Sequence, residues 1–244
     1  MKWIAIVGLG QIGGSFVLAL RKSKIPARLI GIDTSRKLLH LLRNQLDATS
    51  TSWKAAENAD LIIVCLHFQQ TIDFLNQVQS NALIMDVCSA KRKVLAVANR
   101  RRLRFIGAHP MAGNERAKEK GWDINLFSSA PFFLCPGRNS SQTDLQQIKR
   151  LITKLKAKPI QLDPAIHDRF VAMSSHLPAF LSQIYREFSA KLPTAFQGPG
   201  YRSFTRLSNT SPELMRTFLE GNGDEIKKLW KLWLRQNLKH RFTL

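Results

Sequence analysis

The feature that most constrains this chain is a glycine-rich motif placed directly after its first apolar segment. Residues Trp3–Val7 are apolar, and the motif Gly-x-Gly-x-x-Gly follows at once. In a strand–turn–helix unit the first glycine permits a tight turn, the second lets the backbone approach a pyrophosphate, and the third allows the helix to pack closely on the strand. The spacing therefore predicts a dinucleotide site at a helix N-terminus. Its predicted residues are Gly8, Gly10, Gln11, Ile12 and Gly13.

An acidic residue at the end of the next apolar segment supports a dinucleotide site. Asp33 follows Arg28–Ile32 and lies 20 residues after Gly13. A carboxylate at that distance accepts hydrogen bonds from an adenosine ribose and repels a 2′-phosphate. NAD is therefore favoured over NADP as the cofactor, although Arg36, three residues further on, would weaken that preference.

Short apolar segments alternate with helical patterns as far as residue 163, which predicts an α/β fold with a doubly wound, Rossmann-type parallel sheet. The strand signal then stops, and a smaller all-helical domain is expected over 164–244. Predicted strands are Trp3–Val7, Arg28–Ile32, Asp60–Leu66, Ala82–Val87, Arg104–Gly107, Pro131–Leu134 and Pro159–Leu162. Predicted helices are Ile12–Lys22, Arg36–Leu46, Gln70–Gln79, Lys91–Arg101, Gln142–Lys156, Ala165–Ala190 with a break at Pro178, Pro212–Leu219 and Asp224–Lys239. A Gly/Pro-rich loop is expected at Gln197–Gly200.

Two further polar segments follow predicted strands. His109 lies in Gly107–Gly113, and Ser89 lies in Asp86–Lys91. Ligands of open parallel sheets bind at the carboxyl ends of the strands. A histidine placed there can take a proton from a substrate hydroxyl as hydride leaves the same carbon. The residues alone leave open that His109 is a structural histidine.

The net charge needs a separate account, because 37 Lys and Arg residues against 17 Asp and Glu residues give a formal charge of +20. The excess is spread over both halves of the chain. It raises the alternative of a basic nucleotide-binding module without catalysis, but no known nucleic-acid-binding fold or run of stacking aromatics accompanies it. We therefore expect no nucleic-acid partner and interpret most of the charge as solvated surface.

Cysteine usage and hydropathy bear on the compartment. The three cysteines are an odd number without metal-ligand spacing, so no metal site is expected and a reducing cytoplasm is favoured. No secretory leader and no apolar stretch of about 18 residues is recognised, so no membrane association is expected.

Taken in order, the motifs resemble the prephenate/arogenate dehydrogenase family of tyrosine biosynthesis. The His-Pro-Met-Ala-Gly and Ser-His-Leu-Pro segments are much more specific than the glycine motif. The matching segments are Gly8–Ser15, Asp86–Lys91, His109–Gly113 with Glu115, Trp122–Phe127, His167-Asp168, Ser175–Pro178, Thr205–Leu207 and Ser211–Leu214.

The resemblance implies oxidative decarboxylation of prephenate to 4-hydroxyphenylpyruvate, or of arogenate to tyrosine, with hydride transfer to NAD. His109 matches the family's catalytic histidine, and Ser89 matches the serine that supports it. Arg206 matches the arginine that binds the dicarboxylate substrate, with Arg202 as a competing candidate. Glu115 and His167 match further active-site positions. The resemblance also implies a homodimer formed through the helical domain.

Three departures from the family pattern bear on substrate identity. Ala179 stands where a second histidine is usual, His67 where a proline is expected near the cofactor, and Met215 where a tryptophan is frequent. They leave open a related NAD-dependent dehydrogenase that acts on another small anionic substrate.

Overall fold

The computed structural model describes residues 2–113 and 118–238, and the chain divides into two compact units, residues 1–164 and 165–244. The first unit contains every strand of the described residues. They are β1 (Trp3–Val7), β2 (Arg28–Ile32), β3 (Ala48–Ser50), β4 (Leu61–Val64), β5 (Leu83–Asp86), β6 (Phe105–Pro110), β7 (Pro131–Pro136) and β8 (Lys158–Gln161).

These strands form one sheet in the order β3-β2-β1-β4-β5-β6-β7-β8. Every neighbouring pair is parallel except β6 and β7, which pair antiparallel from Ile106 opposite Pro136 to Pro110 opposite Phe132. The carboxyl ends of β1, β2, β4, β5 and β6 therefore lie at one edge. The doubly wound α/β fold predicted from the sequence is confirmed.

Five helices connect the strands of the first unit. They are α1 (Gln11–Lys22), α2 (Arg36–Leu42), α3 (Phe68–Gln77), α4 (Arg92–Arg100) and α5 (Gln142–Lys154). Apolar residues of the central strands are buried on both faces of the sheet. Ile4 and Ile6 of β1 belong to one apolar cluster, and Ala5 and Val7 belong to another. Burial on both faces explains why these strands read as continuous apolar runs.

Strand β3, at the edge of the sheet, was not predicted from the sequence. Its three residues, Ala-Thr-Ser, are half-buried or exposed, so they carry no apolar signal. The strand exists because it pairs with Ile30–Ile32 of β2. The predicted helix over Arg36–Leu46 is also shorter than expected, because α2 ends at Leu42 and a 3-10 turn covers Arg43–Gln45.

The second unit contains α6 (Pro164–Val171, whose first residue closes the first unit), α7 (Leu177–Phe188), α8 (Pro199–Thr205) and α9 (Pro212–Leu238). Two details of the prediction were wrong. A π-helical turn over Ala172–His176 interrupts the helix, and Pro178 lies in the first turn of α7, where a proline is tolerated. The expected loop at Gln197–Gly200 already contains the start of α8. The two helices predicted over Pro212–Leu219 and from Asp224 onward agree with the structure, in which α9 consists of two helical segments that meet at a kink at Asn222 (φ −135°, ψ 15°).

No helix within residues 2–113 and 118–238 is long and apolar enough to span a membrane.

Part of the basic run at 100–104 has a structural use. Arg101 donates to the carbonyl oxygens of Leu75 (3.2 Å) and Val78 (3.0 Å) at the C-terminus of α3, and Arg104 donates to Asp144 (2.6 Å). The last carbonyl groups of a helix have no partner within the helix, and a nearby cation stabilises them.

We predict that Arg101→Ala lowers the free energy of unfolding by about 1–3 kcal/mol, because two charge-assisted hydrogen bonds to backbone carbonyls are lost. Urea unfolding followed by circular dichroism measures the change. The control is Arg150→Ala on the exposed face of α5, which should change stability by less than about 0.5 kcal/mol. Equal effects of the two substitutions would contradict the capping role of Arg101.

Candidate active site

The glycine-rich loop between β1 and α1 has the geometry that its sequence predicts. Gly8 has a φ of +90°, and its N–H donates to the carbonyl oxygen of Ile32 (2.8 Å). A methyl group on Gly13 would collide with the carbonyl oxygen of Gly8. Glycine at position 13 is therefore what allows α1 to begin directly against the end of β1.

Asp33 fixes this loop to the end of β2. Its carboxylate accepts hydrogen bonds from the N–H groups of Leu9 and Ser35, each at 2.7 Å. Each oxygen retains a further lone pair for a ribose hydroxyl. The carboxylate thus has a structural role in shaping the loop as well as the predicted role toward a cofactor.

A tryptophan that composition and spacing did not single out holds the other side of the loop. Trp122 donates through Nε1 to the carbonyl oxygens of Leu9 (3.1 Å) and Gly10 (3.0 Å). A side chain on Gly14 would collide with its indole ring. Trp122 therefore orients the carbonyl groups of the loop, and the only sequence signal for it was its place in the motif Trp122–Phe127.

The loop fits the pyrophosphate of a dinucleotide. A methyl group built on Gly10 would meet no described atom within 4 Å. Gly10 is the N-cap of α1, no side chain caps the helix, and its first turn, which includes Gln11 and Ile12, carries no acidic residue. A helix N-terminus with open space and no carboxylate favours a bound anion.

We predict different outcomes for alanine at two glycines of this loop. Gly13→Ala should destabilise the protein by about 3 kcal/mol or more, because backbone must move. Gly10→Ala should change stability by less than about 1 kcal/mol. Its methyl group would nevertheless fill the pyrophosphate space at a cost of about 1–3 kcal/mol, which is roughly a 5- to 150-fold higher Kd for NAD.

Thermal unfolding and isothermal titration with NAD measure both effects. The proposed geometry of the glycine loop is contradicted if Gly13→Ala is as stable as the wild type, or if Gly10→Ala has the same Kd for NAD as the wild type.

His109 and Ser89 lie at the same edge of the sheet, because β5 and β6 are adjacent and parallel. His109 is the fifth residue of β6, is half-buried, and pairs with Phe133 of β7. Ser89 follows β5, and its buried Oγ has no hydrogen-bond partner within the described chain. A buried hydroxyl without a partner is rare in proteins and is available to a ligand or a neighbouring side chain.

A buried ion pair lies beneath these two residues. Lys91 and Asp86 are both fully buried, with Nζ and Oδ2 2.6 Å apart. The lysine was not recognised as buried from the sequence, because lysine is almost never fully buried unless it is paired.

The thiols near this edge are not nucleophiles at neutral pH. Burial raises the pKa of Cys88 to about 12 and raises the pKa of Cys65 well above its ordinary value. A thiolate is the reactive form of cysteine, so the site does not offer covalent thiol catalysis.

In the second unit, Arg206 lines a pocket of about 480 Å³ together with Arg186 and Arg202. Tyr201 and Ser189 also line it, and their hydroxyl oxygens lie 3.1 Å apart. The pocket's lining residues in the described chain include three guanidinium groups and no carboxylate. Such a pocket suits an anion with more than one carboxylate.

His167 lies in a different part of the second unit, and it is fully buried. Its Nδ1 is 2.9 Å from Oδ1 of Asp168. Asn222, at the kink of α9, donates to the carbonyl oxygen of Asp168 (2.7 Å), and its Nδ2 lies 3.3 Å from Nδ1 of His176. The ring of His176 stacks on Phe218 at 4.2 Å.

The buried histidine of this cluster predicts a pH effect on stability. Burial lowers the pKa of His176 to about 4, because the charged imidazolium would lose its hydration. Between pH 6.5 and 4 the unfolded chain binds a proton at this residue that the folded chain does not, so stability falls as the pH falls. The loss between pH 7.5 and 5 is about 2 kcal/mol.

Denaturant unfolding at pH 7.5 and pH 5 tests this effect. His176→Leu should have a smaller decrease than the wild type, whereas His40→Leu, at an exposed position, should keep the wild-type decrease. The same decrease in His176→Leu as in the wild type would contradict the assignment.

Two departures from the expected family pattern lie in the core of the second unit. Ala179 and Met215 are buried in one apolar cluster with Leu177, Phe218 and Ile226. His67 is exposed and precedes the first residue of α3. Glu115 lies outside the described residues.

The structure thus brings together one group of predicted residues and places the others separately. Within the first unit, the carboxyl edge of the sheet holds the glycine loop, Asp33, Ser89 and His109. Within the second unit, Arg206 and His167 lie in different surroundings.

Comparison with known proteins gives consistent matches over nearly the whole chain. The profile described as "Prephenate dehydrogenase, nucleotide-binding domain" matches residues 16–161, and "Prephenate dehydrogenase, dimerization domain" matches residues 163–242. A curated prephenate dehydrogenase of Bacillus subtilis (strain 168) is 30% identical over 250 residues, covering 96% of this chain and 67% of that protein. The chain thus spans about two thirds of that relative's length.

Two solved structures are similar over almost the entire chain. The crystal structure of Synechocystis arogenate dehydrogenase has a TM-score of 0.80 and 28% identity, covering 98% of this chain and 90% of that one. Prephenate dehydrogenase from Aquifex aeolicus, in complex with hydroxyphenyl propionate and NAD+, has a TM-score of 0.89 and 23% identity, covering 98% and 89%. At that identity, the second likeness shows the fold alone.

Proposed function

The chain belongs to the prephenate dehydrogenase family, and we propose that it catalyses the NAD-dependent oxidative decarboxylation of prephenate or arogenate. The family resemblance drawn from the motifs is confirmed. The observation that carries the proposal is the carboxyl edge of the sheet, where the glycine loop and Asp33 stand at β1 and β2, and Ser89 and His109 at β5 and β6.

The cofactor supplies an acceptor for the hydride that leaves the ring carbon bearing the substrate hydroxyl. The protein's part is to take the hydroxyl proton and to hold the reacting carbon in place, because loss of CO2 makes the ring aromatic and drives the reaction. We assign the proton to His109. The buried hydroxyl of Ser89 would orient the imidazole or the substrate hydroxyl.

For the substrate, Arg206 would bind a carboxylate in bidentate fashion, and its pocket adds Arg202 and Arg186 as further cations. Arg202, a competing candidate on sequence grounds, thus becomes a second ligand of the same anion. His167 and Glu115 remain predicted substrate contacts. The ring of His167 is fully buried against Asp168. This burial favours a role in positioning neighbouring residues and disfavours direct contact between His167 and the substrate.

Asp33 supports NAD over NADP in this proposal. A 2′-phosphate would lie against a carboxylate that already accepts two backbone hydrogen bonds and cannot move away without opening the loop. Arg36 is exposed at the start of α2 and would partly offset this repulsion.

We also propose that the chain forms a homodimer through its helical unit. Phe188, Phe196 and Phe170 are 86%, 72% and 58% exposed there. Large exposed aromatic side chains are enriched at protein interfaces, and the unit matches a dimerization-domain profile. A cytoplasmic location remains a prediction.

A second candidate is a relative that acts on another small anionic substrate. The observation in its favour is Ala179, which stands where a histidine is usual and is buried in an apolar cluster. The polar contact that a histidine could make to the substrate is therefore missing at this position. Activity with neither prephenate nor arogenate, together with saturable NAD binding, would favour this candidate.

We predict that the purified protein forms NADH when it is given NAD with prephenate or arogenate. His109→Asn should lower kcat by about 10²- to 10⁴-fold, the usual contribution of a general base. Absorbance at the NADH band gives the rates, and titration with NAD provides the control, since His109→Asn should bind NAD like the wild type. Wild-type turnover in His109→Asn would contradict the proton-acceptor role.

A further inference from the structure

The buried ion pair between Lys91 and Asp86 is placed where the proposed site needs precise geometry. Nζ of Lys91 lies 2.6 Å from Oδ2 of Asp86 and donates to the carbonyl oxygen of Ala108 at 2.7 Å. Oδ1 of Asp86 accepts from the N–H of the same residue, Ala108, at 3.1 Å. One ion pair thus binds both backbone polar groups of the residue that precedes His109.

The same carboxylate also reaches the segment that carries Ser89. Oδ2 of Asp86 accepts a hydrogen bond from the N–H of Cys88 at 2.9 Å. Cys88 immediately precedes Ser89. The ion pair therefore binds the residue before His109 through both of its members and the residue before Ser89 through Asp86.

The local sequence makes room for this arrangement. A methyl group on Gly107 would lie 3.2 Å from Cδ of Lys91, which is tighter than nearly all such contacts. Glycine two residues before His109 therefore lets the aliphatic part of Lys91 pass beneath β6. Lys91 itself is the N-cap of α4, so the start of that helix is tied to the same point.

Stability alone gives little reason for two charges in this place. Removing a carboxylate and an ammonium from water costs several kcal/mol per ion, and well-packed apolar residues of similar volume are often as stable or more stable. An ion pair does, however, define direction and distance more strictly than apolar packing does, because its hydrogen bonds are strong and angular.

We propose that Lys91 and Asp86 are positioning residues that hold His109 and Ser89 in register with each other. The inference rests on the proposed dehydrogenase function. It adds that the geometry of the proton-accepting site depends on this pair, while the glycine loop that binds the cofactor is held by Asp33 and Trp122.

The test compares turnover with NAD binding in Lys91→Met and in the double variant Asp86→Asn/Lys91→Met. The single variant leaves a buried carboxylate without its cation and should lose stability, whereas the double variant removes both charges and should recover much of that loss. Both should have kcat lowered about 10- to 100-fold, the effect of a misplacement of about 1 Å. The Kd for NAD should stay within about twofold of the wild type.

The matched control is Arg104→Met, which breaks the ion pair with Asp144. Arg104 directly precedes β6, whose other end carries His109. It should lower the melting temperature but leave kcat unchanged at a temperature well below unfolding. Wild-type turnover with prephenate or arogenate is the reference, so its absence would count against the proposed function and not against the pair. If the wild type is active and the stable double variant keeps wild-type kcat, or if kcat and NAD affinity fall together, the positioning role is wrong.

Discussion

The contact between α1 and the end of β1 is the constraint on which the rest of the first unit depends. Gly13 must lack a side chain because the carbonyl oxygen of Gly8 occupies that space, and Gly8 must adopt a positive φ to turn the chain into the helix. Asp33 and Trp122 then hold the loop through three hydrogen bonds, two of them from the indole N–H. The result is a helix N-terminus that faces open space at the carboxyl edge of the sheet, which is the arrangement that an anionic cofactor requires.

Much of this could be predicted from the sequence because the signals are local. A strand buried on both faces reads as an apolar run, and β1 and β2 have the predicted bounds, Trp3–Val7 and Arg28–Ile32. The roles of Gly8 and Gly13 follow from steric requirements that any chain would share. The edge strand β3 could not be found in this way, because its existence depends on hydrogen bonds to β2 rather than on its own residues.

The features that the sequence did not reveal depend on contacts between distant residues. Trp122 contacts the glycine loop across more than a hundred residues of sequence. Lys91 reads as one member of a basic run, yet it is fully buried against Asp86 and Ala108. The kink at Asn222 lies between Gly221 and Gly223, which weaken a helix locally, but the hydrogen bond from the Asn222 side chain to the carbonyl oxygen of Asp168 joins residues far apart in sequence. In each case a polar group has a partner that cannot be predicted from the residues next to it in the sequence.

Several of the 37 Lys and Arg residues now have assigned contacts, although those paired with a carboxylate do not contribute to the net charge of +20. Lys91 is a buried structural cation, Arg101 and Arg104 bind carbonyl groups or a carboxylate, and Arg186, Arg202 and Arg206 surround one pocket.

The central claim is that the protein catalyses an oxidative decarboxylation. The most direct measurement is the ratio of CO2 released to NADH formed when the protein is given prephenate or arogenate. The account predicts equal amounts of the two products with at least one of these substrates, and NADH formed without CO2, or neither product with either substrate, would contradict it.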